Sequence, residues 1–336
     1  MRARFGLCVV AIVVFQSTGL NVARADEKPK TESAGNISLI VENDLVVRTD
    51  RDYTSGVKAS WITAPENTPL WAKAFATQIP LFSNWSTVRT EYALQQVIFT
   101  PQRTTLVTPD PRDRPYAGWL NASFALLGEN GPLLDQLAVS VGVVGPASLA
   151  QESQKLIHDL YRQPSPNGWA HQLRNEPTLQ LRYQRSWRAL AAYSFDGDYG
   201  LDVTPHAGFM LGNVYTFANA GITFRLGKDL QQDFGPPRIG PNVSGSGYFV
   251  PRKTLGWYLF AGLEARAMAR NIFLDGSTFE ASPHVSKRPF VGDLQAGFAV
   301  TLDQIRLSYT QVWRTKEFYG QSRADQFGAL TLSVRW

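Results

Sequence analysis

The sequence contains little cysteine, little histidine and only one long apolar run. Its 336 residues include one cysteine, Cys8, and four histidines. Cys8 lies in an N-terminal segment that we expect to be removed, so the mature chain can form no disulfide and no thiolate nucleophile. Beyond that segment, no apolar run approaches the ~20 residues of a membrane-spanning helix. These absences exclude a disulfide scaffold, a cysteine enzyme and a helical membrane protein.

The short motifs of several enzyme classes are also absent. The sequence has no G-x-S-x-G nucleophile elbow. It has no glycine-rich phosphate loop and no H-E-x-x-H zinc motif. A serine triad assembled in space from separate strands stays open, because such triads are recognised by geometry and not by sequence order.

The first residues have the pattern of an export signal. Arginines form a short positive region, and the apolar run over residues 7–15 has the length of a signal-peptide core. An A-x-A pattern ending at Ala25 predicts cleavage before Asp26. We therefore expect a signal peptide over residues 1–25 and a disordered polar lead-in over residues 26–35.

The net charge becomes small once this signal is removed. The full sequence has a formal charge of +5. The signal contains Arg2, Arg4 and Arg24 and no acidic residue, so the mature chain carries about +2. A charge this small does not indicate nucleic acid as a partner.

The last eight residues alternate strictly between apolar and polar side chains. One face of the segment carries Leu330, Leu332, Val334 and Trp336, and the other carries Thr331, Ser333 and Arg335. This period of two predicts a β-strand. The final strands of outer-membrane barrels resemble it, including the terminal aromatic that the barrel assembly machinery reads. The edge strand of a soluble sandwich is the alternative.

The same alternation recurs along the chain. It is present in residues 57–61, 137–142, 179–184, 259–264 and 305–310. Charged side chains such as Arg182, Glu264 and Arg306 are costly against lipid, so we expect them to face the lumen or an interface. Together these segments predict an all-β fold, a transmembrane antiparallel β-barrel over residues 36–336.

Three segments depart from the alternating pattern. Residues 64–90 and 228–255 are long and poorly periodic, and we interpret both as excursions outside the membrane. Residues 147–161 have a helical pattern, and Ser148 and Gln151 have capping-box spacing. We expect a short helix there, beside the barrel.

Two groups of residues are candidates for chemistry. Glu42-Asn43-Asp44 and the segment from Thr49 to Gly56 supply acids, an amide and hydroxyls, which are the hard oxygen ligands that Ca²⁺ prefers. An Asx-rich hairpin turn explains the same residues. On the predicted helix, His158 lies one turn after Gln154, a placement suited to a general base. A structural histidine is the alternative.

Several of these segments together resemble one known family, the outer-membrane lipid A 3-O-deacylases. The matching motifs are Glu42-Asn43-Asp44, Thr49-Asp50, Asp52-Tyr53-Thr54-Ser55-Gly56, Asp113-Arg114-Pro115-Tyr116-Ala117-Gly118-Trp119, Gly145-Pro146, Gln154, His158, Gly168-Trp169, Gln172-Leu173, Glu176-Pro177, Phe273-Leu274-Asp275-Gly276 and Arg314-Thr315-Lys316-Glu317-Phe318. The resemblance extends from about residue 36 to the end of the chain. It implies a barrel of twelve strands that removes the 3-position ester-linked acyl chain of lipid A and requires calcium.

The resemblance also assigns roles, through a mechanism similar to that of secreted phospholipases. His158 would activate water, with Gln154 beside it on the helix. Asn43 and Asp44 would lie near the calcium ion and the oxyanion, and Thr54 or Ser55 would supply a supporting hydroxyl.

Other positions are assigned more weakly. The family has a glutamate shortly after the histidine, and Glu176 is the nearest match, so the expected metal ligands are Asp44 and Glu176. Arg103 and Arg114 are candidates for holding lipid A phosphates. The expected partners are lipopolysaccharide, outer-membrane lipid and, through Trp336, the barrel assembly machinery. A porin or adhesin and a barrel phospholipase remain alternatives.

Overall fold

The computed structural model describes most of the chain after the N-terminal segment. The described residues are 34–43, 52–79, 85–162, 164–230, 233–239, 246–251 and 254–336, with the backbone alone for Asp52, Thr54, Tyr161 and Asp196. The expected signal peptide and nearly all of the expected lead-in lie outside these residues. No described helix is long and apolar enough to span a membrane.

In the described part of the chain, thirteen strands form one antiparallel sheet, accompanied by three α-helices. The strands are β1 (Asn36–Asn43), β2 (Asp52–Ile62), β3 (Thr87–Thr100), β4 (Ala117–Asn130), β5 (Leu133–Val144), β6 (Glu176–Trp187), β7 (Ala191–Ser194), β8 (Tyr199–Gly212), β9 (Tyr215–Lys228), β10 (Leu255–Asn271), β11 (Phe290–Leu302), β12 (Ile305–Arg314) and β13 (Asp325–Arg335). The helices are α1 (Leu70–Gln78), α2 (Ala150–Tyr161) and α3 (Ile272–Asp275).

Twelve of the strands close into a barrel. Neighbours in sequence pair along the sheet, β1 pairs with β13, and β6 pairs directly with β8. The short strand β7 pairs only with β8 and is therefore an addition at the rim. The predicted fold class and the predicted number of twelve strands are confirmed.

The strand directions define two ends of the barrel. The end where β1 begins and β13 finishes is called the proximal end, and the opposite one the distal end. The β2–β3, β4–β5, β6–β8, β9–β10 and β11–β12 connections lie at the proximal end. The connections that contain α2 and α3 lie at the distal end, as do the last residue of β1 and the first residues of β2.

The strands are apolar outside and polar inside. In β1, Ile37, Leu39 and Val41 are exposed on the outer wall, whereas Ser38 and Glu42 are buried in the lumen. Glu264 and Arg306 are also buried on luminal faces. This alternation confirms the interpretation of the charged strand residues, because a charge on the outer wall would face lipid.

We expect an excursion outside the membrane after β9, but the described parts of this segment do not form one. Residues 233–239 and 246–250, here called the luminal plug, fold back into the lumen. Phe234 and Tyr248 pack there with Leu127 and Leu134 from the inner wall. The expectation failed because the segment contains buried apolar and charged groups whose partners are distant in sequence.

The plug is held at its proximal end by Asp233. Its carboxylate pairs with Arg225 and Arg306 and accepts a hydrogen bond from the Tyr258 hydroxyl at 3.0 Å. All four side chains are buried. A buried carboxylate shared between two guanidinium groups requires both partners, because each charge has lost its hydration.

Replacement of Asp233 by alanine is expected to destabilise the barrel strongly. Arg225 keeps Asp202 as a partner, at 2.6 Å, but Arg306 loses its carboxylate. Removing one partner of a buried ion pair lowers the free energy of unfolding by about 3–5 kcal/mol. The change is measured by unfolding the protein in detergent with urea and monitoring the loss of its heat-modifiable electrophoretic mobility. An unchanged midpoint would contradict the role assigned to Asp233.

The segment between β2 and β3 also differs from the expected excursion. It contains helix α1, which packs on the outer wall at the proximal end through Ala72 and Ala76 against Leu126. Trp85 covers Gly128 on the same wall, where an added Cβ would overlap the indole ring.

Candidate active site

Helix α2 lies against the outer wall at the distal end of the barrel. It contacts β3 and β4, and its Ala150 joins Ile98, Tyr116 and Trp169 in a buried apolar cluster. Gly118 allows this close approach, because an added Cβ there would overlap Ala150 and Ser148. The helix therefore covers strand residues that would otherwise face lipid.

The start of α2 differs from the predicted capping box. A 3-10 turn over Pro146–Ser148 precedes the helix, and Leu149, with a φ of 58°, is the capping residue. The Ser148 hydroxyl donates to the Gly145 carbonyl at 2.6 Å and does not cap the helix. Gln96, an outward residue of β3, donates to the Ser148 carbonyl at 2.6 Å and fixes this turn to the wall.

The side chain of Gln154 on α2 is buried, and one of the two polar atoms of its amide has a hydrogen-bond partner among the described residues. Its Oε1 accepts a hydrogen bond from Trp169 Nε1 at 2.8 Å, which fixes the orientation of the amide. Its Nε2 is buried without an acceptor among the described residues. An amide donor held in this state is available to an incoming oxygen atom.

His158 is also buried, one turn further along α2. Its Nδ1 lies 2.8 Å from the Pro164 carbonyl oxygen. A carbonyl can only accept, so Nδ1 carries the proton and, in the neutral ring, Nε2 carries the lone pair. The hydrogen bond thus sets the tautomer that a general base needs.

The distal ends of β1 and β2 bring Asn43 and Ser55 to the same wall. The two residues are directly paired, and Ser55 is also paired with Ile98, which packs under α2. Asn43 continues the outward series of β1, and its partner Ser55 shares that face. A β-bulge at Thr54 shifts the register between Tyr53 and Ser55. Asp44 lies outside the described residues, and the structure does not describe the side chain of Thr54.

The family follows from comparison with known proteins. The sequence matches the family described as "Outer membrane protein LpxR" over residues 7–336. This chain belongs to the LpxR family of outer-membrane proteins. The membership and the barrel place the protein in the outer membrane as an integral protein and support a role in lipid A modification.

One solved structure shows the same fold as this LpxR-family chain. LpxR from Salmonella typhimurium is 19% identical, with a TM-score of 0.71, over 89% of this chain and 99% of that one. The β-domain of the Bordetella autotransporter BrkA is 8% identical, with a TM-score of 0.43, over 90% and 99% of the two chains. A comparison with curated proteins finds no match.

Three expected site residues are not brought to the α2 wall. Glu176 belongs to the buried, luminal series of β6, and its carboxylate accepts from Asn213 Nδ2 at 2.8 Å and from the Thr278 amide at 2.7 Å. Arg114 is buried at the distal mouth of the lumen, beside Glu317. Arg103 is exposed in the β3–β4 connection. Because side chains alternate along a strand, Glu176 lies on the luminal face of β6. It therefore cannot act as a ligand beside His158, which lies on the outer side of the barrel.

At the distal end of the outer wall, beside α2, Asn43 and Ser55 are neutral oxygen donors for calcium. No group of three or more acidic, histidine or cysteine side chains suited to a metal is found among the described residues. Asn43 and Ser55 contribute an amide and a hydroxyl, and Ca²⁺ requires more oxygens than these two provide. Asp44, an expected calcium ligand, lies outside the described residues.

The motif from Asp113 to Trp119 forms a structural corner next to this wall. Asp113 accepts hydrogen bonds from the backbone amides of Gln102 and Arg114, at 2.7 and 2.8 Å. Burial raises the pKa of the Asp113 carboxyl, although these amides favour its charged form. The motif thus holds the β3–β4 connection, from which Tyr116 and Gly118 continue toward α2.

Several residues of the site were not identified as such from the sequence. Trp169 orients Gln154, Pro164 orients His158, and Gln96 anchors the turn before α2. The sequence does indicate a role for Gln96, because a polar side chain at an outward position of a membrane strand is usually functional. The contact with Pro164 depends on the path of a loop and has no local pattern.

Proposed function

We propose that the protein hydrolyses the 3-position ester of lipid A and releases the acyl chain. The observation that supports this proposal is the position of His158 and Gln154, held on α2 against the outer wall of a membrane barrel. Lipid A presents its acyl esters at the membrane surface, so the enzyme that cuts them needs its polar groups on the outer wall. Polar groups in that environment are costly and usually functional.

His158 is the general base of the proposed reaction. Nε2 accepts a proton from water, and the hydroxide oxygen bonds to the ester carbonyl carbon. The resulting imidazolium is stabilised by its Nδ1 hydrogen bond to the Pro164 carbonyl. When the tetrahedral intermediate collapses, this proton goes to the leaving alkoxide. The products are a carboxylic acid and lipid A with a free 3-hydroxyl.

Gln154 and the strand ends stabilise the negative charge in this proposal. The buried Nε2 of Gln154 donates to the oxyanion, since it has no acceptor among the described residues. Calcium, held by the oxygens of Asn43 and Asp44, would supply positive charge beside the same oxygen atom. Ser55 is a further hydroxyl on this face.

The luminal packing argues against a wide pore. The plug occupies the lumen, and Phe273 of α3 stacks on Phe99 at 4.1 Å near the distal mouth. A porin requires an open channel through the interior.

Purified protein incubated with lipid A tests the function directly. We expect mass spectrometry to show the loss of one 3-position acyl group in calcium and none in chelator. A parallel incubation with glycerophospholipid should yield no fatty acid. Intact lipid A under conditions where the barrel is folded would reject the deacylase, and cleavage of phospholipid alone would favour the phospholipase.

A further inference from the structure

The distal tip of the luminal plug contacts the same strand ends that carry the site. Glu42, the luminal neighbour of Asn43, accepts a hydrogen bond from the Ile239 amide through Oε1 at 2.9 Å. Its Oε2 accepts from the Tyr53 hydroxyl at 2.9 Å, and Arg238 Nε lies 3.4 Å from Oε1. Glu42 is therefore bound simultaneously by the plug and by β2.

The contact leaves little freedom for the two strand ends. Glu42, Tyr53 and Ile239 are almost fully buried. An added Cβ at Gly56 would lie 2.5 Å from the Tyr53 hydroxyl and 3.0 Å from Ile239 Cδ1, so the glycine provides the space in which the three groups meet. The lumen is close-packed at this point, and packed groups of this kind transmit displacement.

Strand geometry connects this luminal contact with the outer wall. Successive side chains of a strand point to opposite faces, so an inward residue that is held in place also fixes its outward neighbour. Glu42 fixes Asn43 in this way. Tyr53 fixes the start of β2 just before the bulge that presents Ser55.

We propose that Glu42 is a positioning residue for the active site: bound by Arg238 and Ile239 of the plug, it sets the placement of Asn43 and Ser55 on the outer wall. This inference rests on the proposed function. The plug then serves catalysis from inside the barrel, without contact between the plug and substrate.

The plug itself offers a matched control at its opposite end. Asp233 forms buried ion pairs with the proximal part of the inner wall, far along the strands from Asn43. Loss of Asp233 removes ion pairs with Arg225 and Arg306 but none of the contacts of Glu42. Loss of Glu42 leaves Arg238 with a second carboxylate, Asp293, at 3.8 Å. The two variants thus separate lost stability from lost positioning.

The test compares Glu42→Ala, Glu42→Gln and Asp233→Ala, each assayed on the heat-modifiable, folded fraction. We expect Glu42→Ala to lower kcat for lipid A by about 10²-fold, the effect of a small misplacement, with KM nearly unchanged. Glu42→Gln should recover most of the rate, because its Oε1 still accepts from the Ile239 amide. Asp233→Ala should keep kcat within about twofold of wild type, because the contacts of Glu42 persist.

Amide hydrogen exchange gives a second readout that does not depend on activity. We expect faster exchange at Asn43 and Ser55 in Glu42→Ala and not in Asp233→Ala. If Glu42→Ala does not fold, Tyr53→Phe, which removes only the hydroxyl bond to Glu42, should show the same pattern more weakly. Equal losses of kcat and equal exchange in the Glu42 and Asp233 variants would overturn the positioning role. An inactive wild type with the expected exchange pattern would instead reject the proposed function alone.

Discussion

His158→Asn is expected to abolish nearly all lipid A deacylation while the barrel and α2 stay folded. Asparagine keeps an N–H group near the position of Nδ1 and can still donate to the Pro164 carbonyl. It has no lone pair in place of Nε2, so water loses its proton acceptor. A positioned general base contributes typically 10²–10⁴-fold, and we expect a fall in kcat of about that size. Mass spectrometry of lipid A over a time course measures it.

Two further variants separate the base from the hydrogen bond. His158→Ala removes both and should be no more active than His158→Asn. His171→Ala changes an exposed histidine in the same connection and should leave the rate unchanged. Full activity in His158→Asn would remove His158 as the base, whereas equal losses in the His158 and His171 variants would indicate damage to the loop rather than to the chemistry.

The wall of the barrel could be predicted from the sequence because its signal is local. Each strand alternates between lipid and lumen, so the outward Leu330, Leu332 and Val334 were recognisable in the last strand. The same rule placed Glu264 and Arg306 inside. Helix α2 was predicted from its own periodicity, which also gave the common face of Gln154 and His158.

The contents of the lumen could not be predicted in the same way. Asp233 has its partners in β9 and β12, and Ile239 has its partner in β1. No local pattern joins residues so far apart, so the plug was interpreted as an excursion. Glu176 shows the related difficulty at the site: it is the nearest match to the family's glutamate after His158, but the first residue of β6 points into the barrel.

Gly118→Val is expected to disable the site without opening the barrel. Any side chain at this outward position of β4 overlaps Ala150 and Ser148, so α2 must move away from the wall. His158 and Gln154 would then move relative to Asn43 and Ser55. A displacement of about 1 Å at a catalytic group costs roughly 10²-fold, and we expect kcat to fall by that amount. Lipid A cleavage and heat-modifiable mobility are measured together.

Ala122→Val is the matched control for this prediction. Ala122 lies on the same strand and the same outer wall but is exposed to lipid. A larger apolar side chain there meets only acyl chains, so activity and mobility should both match wild type. Gly118→Ala, with its single added carbon, should fall between the two. If Gly118→Val retained full activity, close contact between α2 and the wall would not be needed for catalysis, and the site would have to be formed by the strand ends alone.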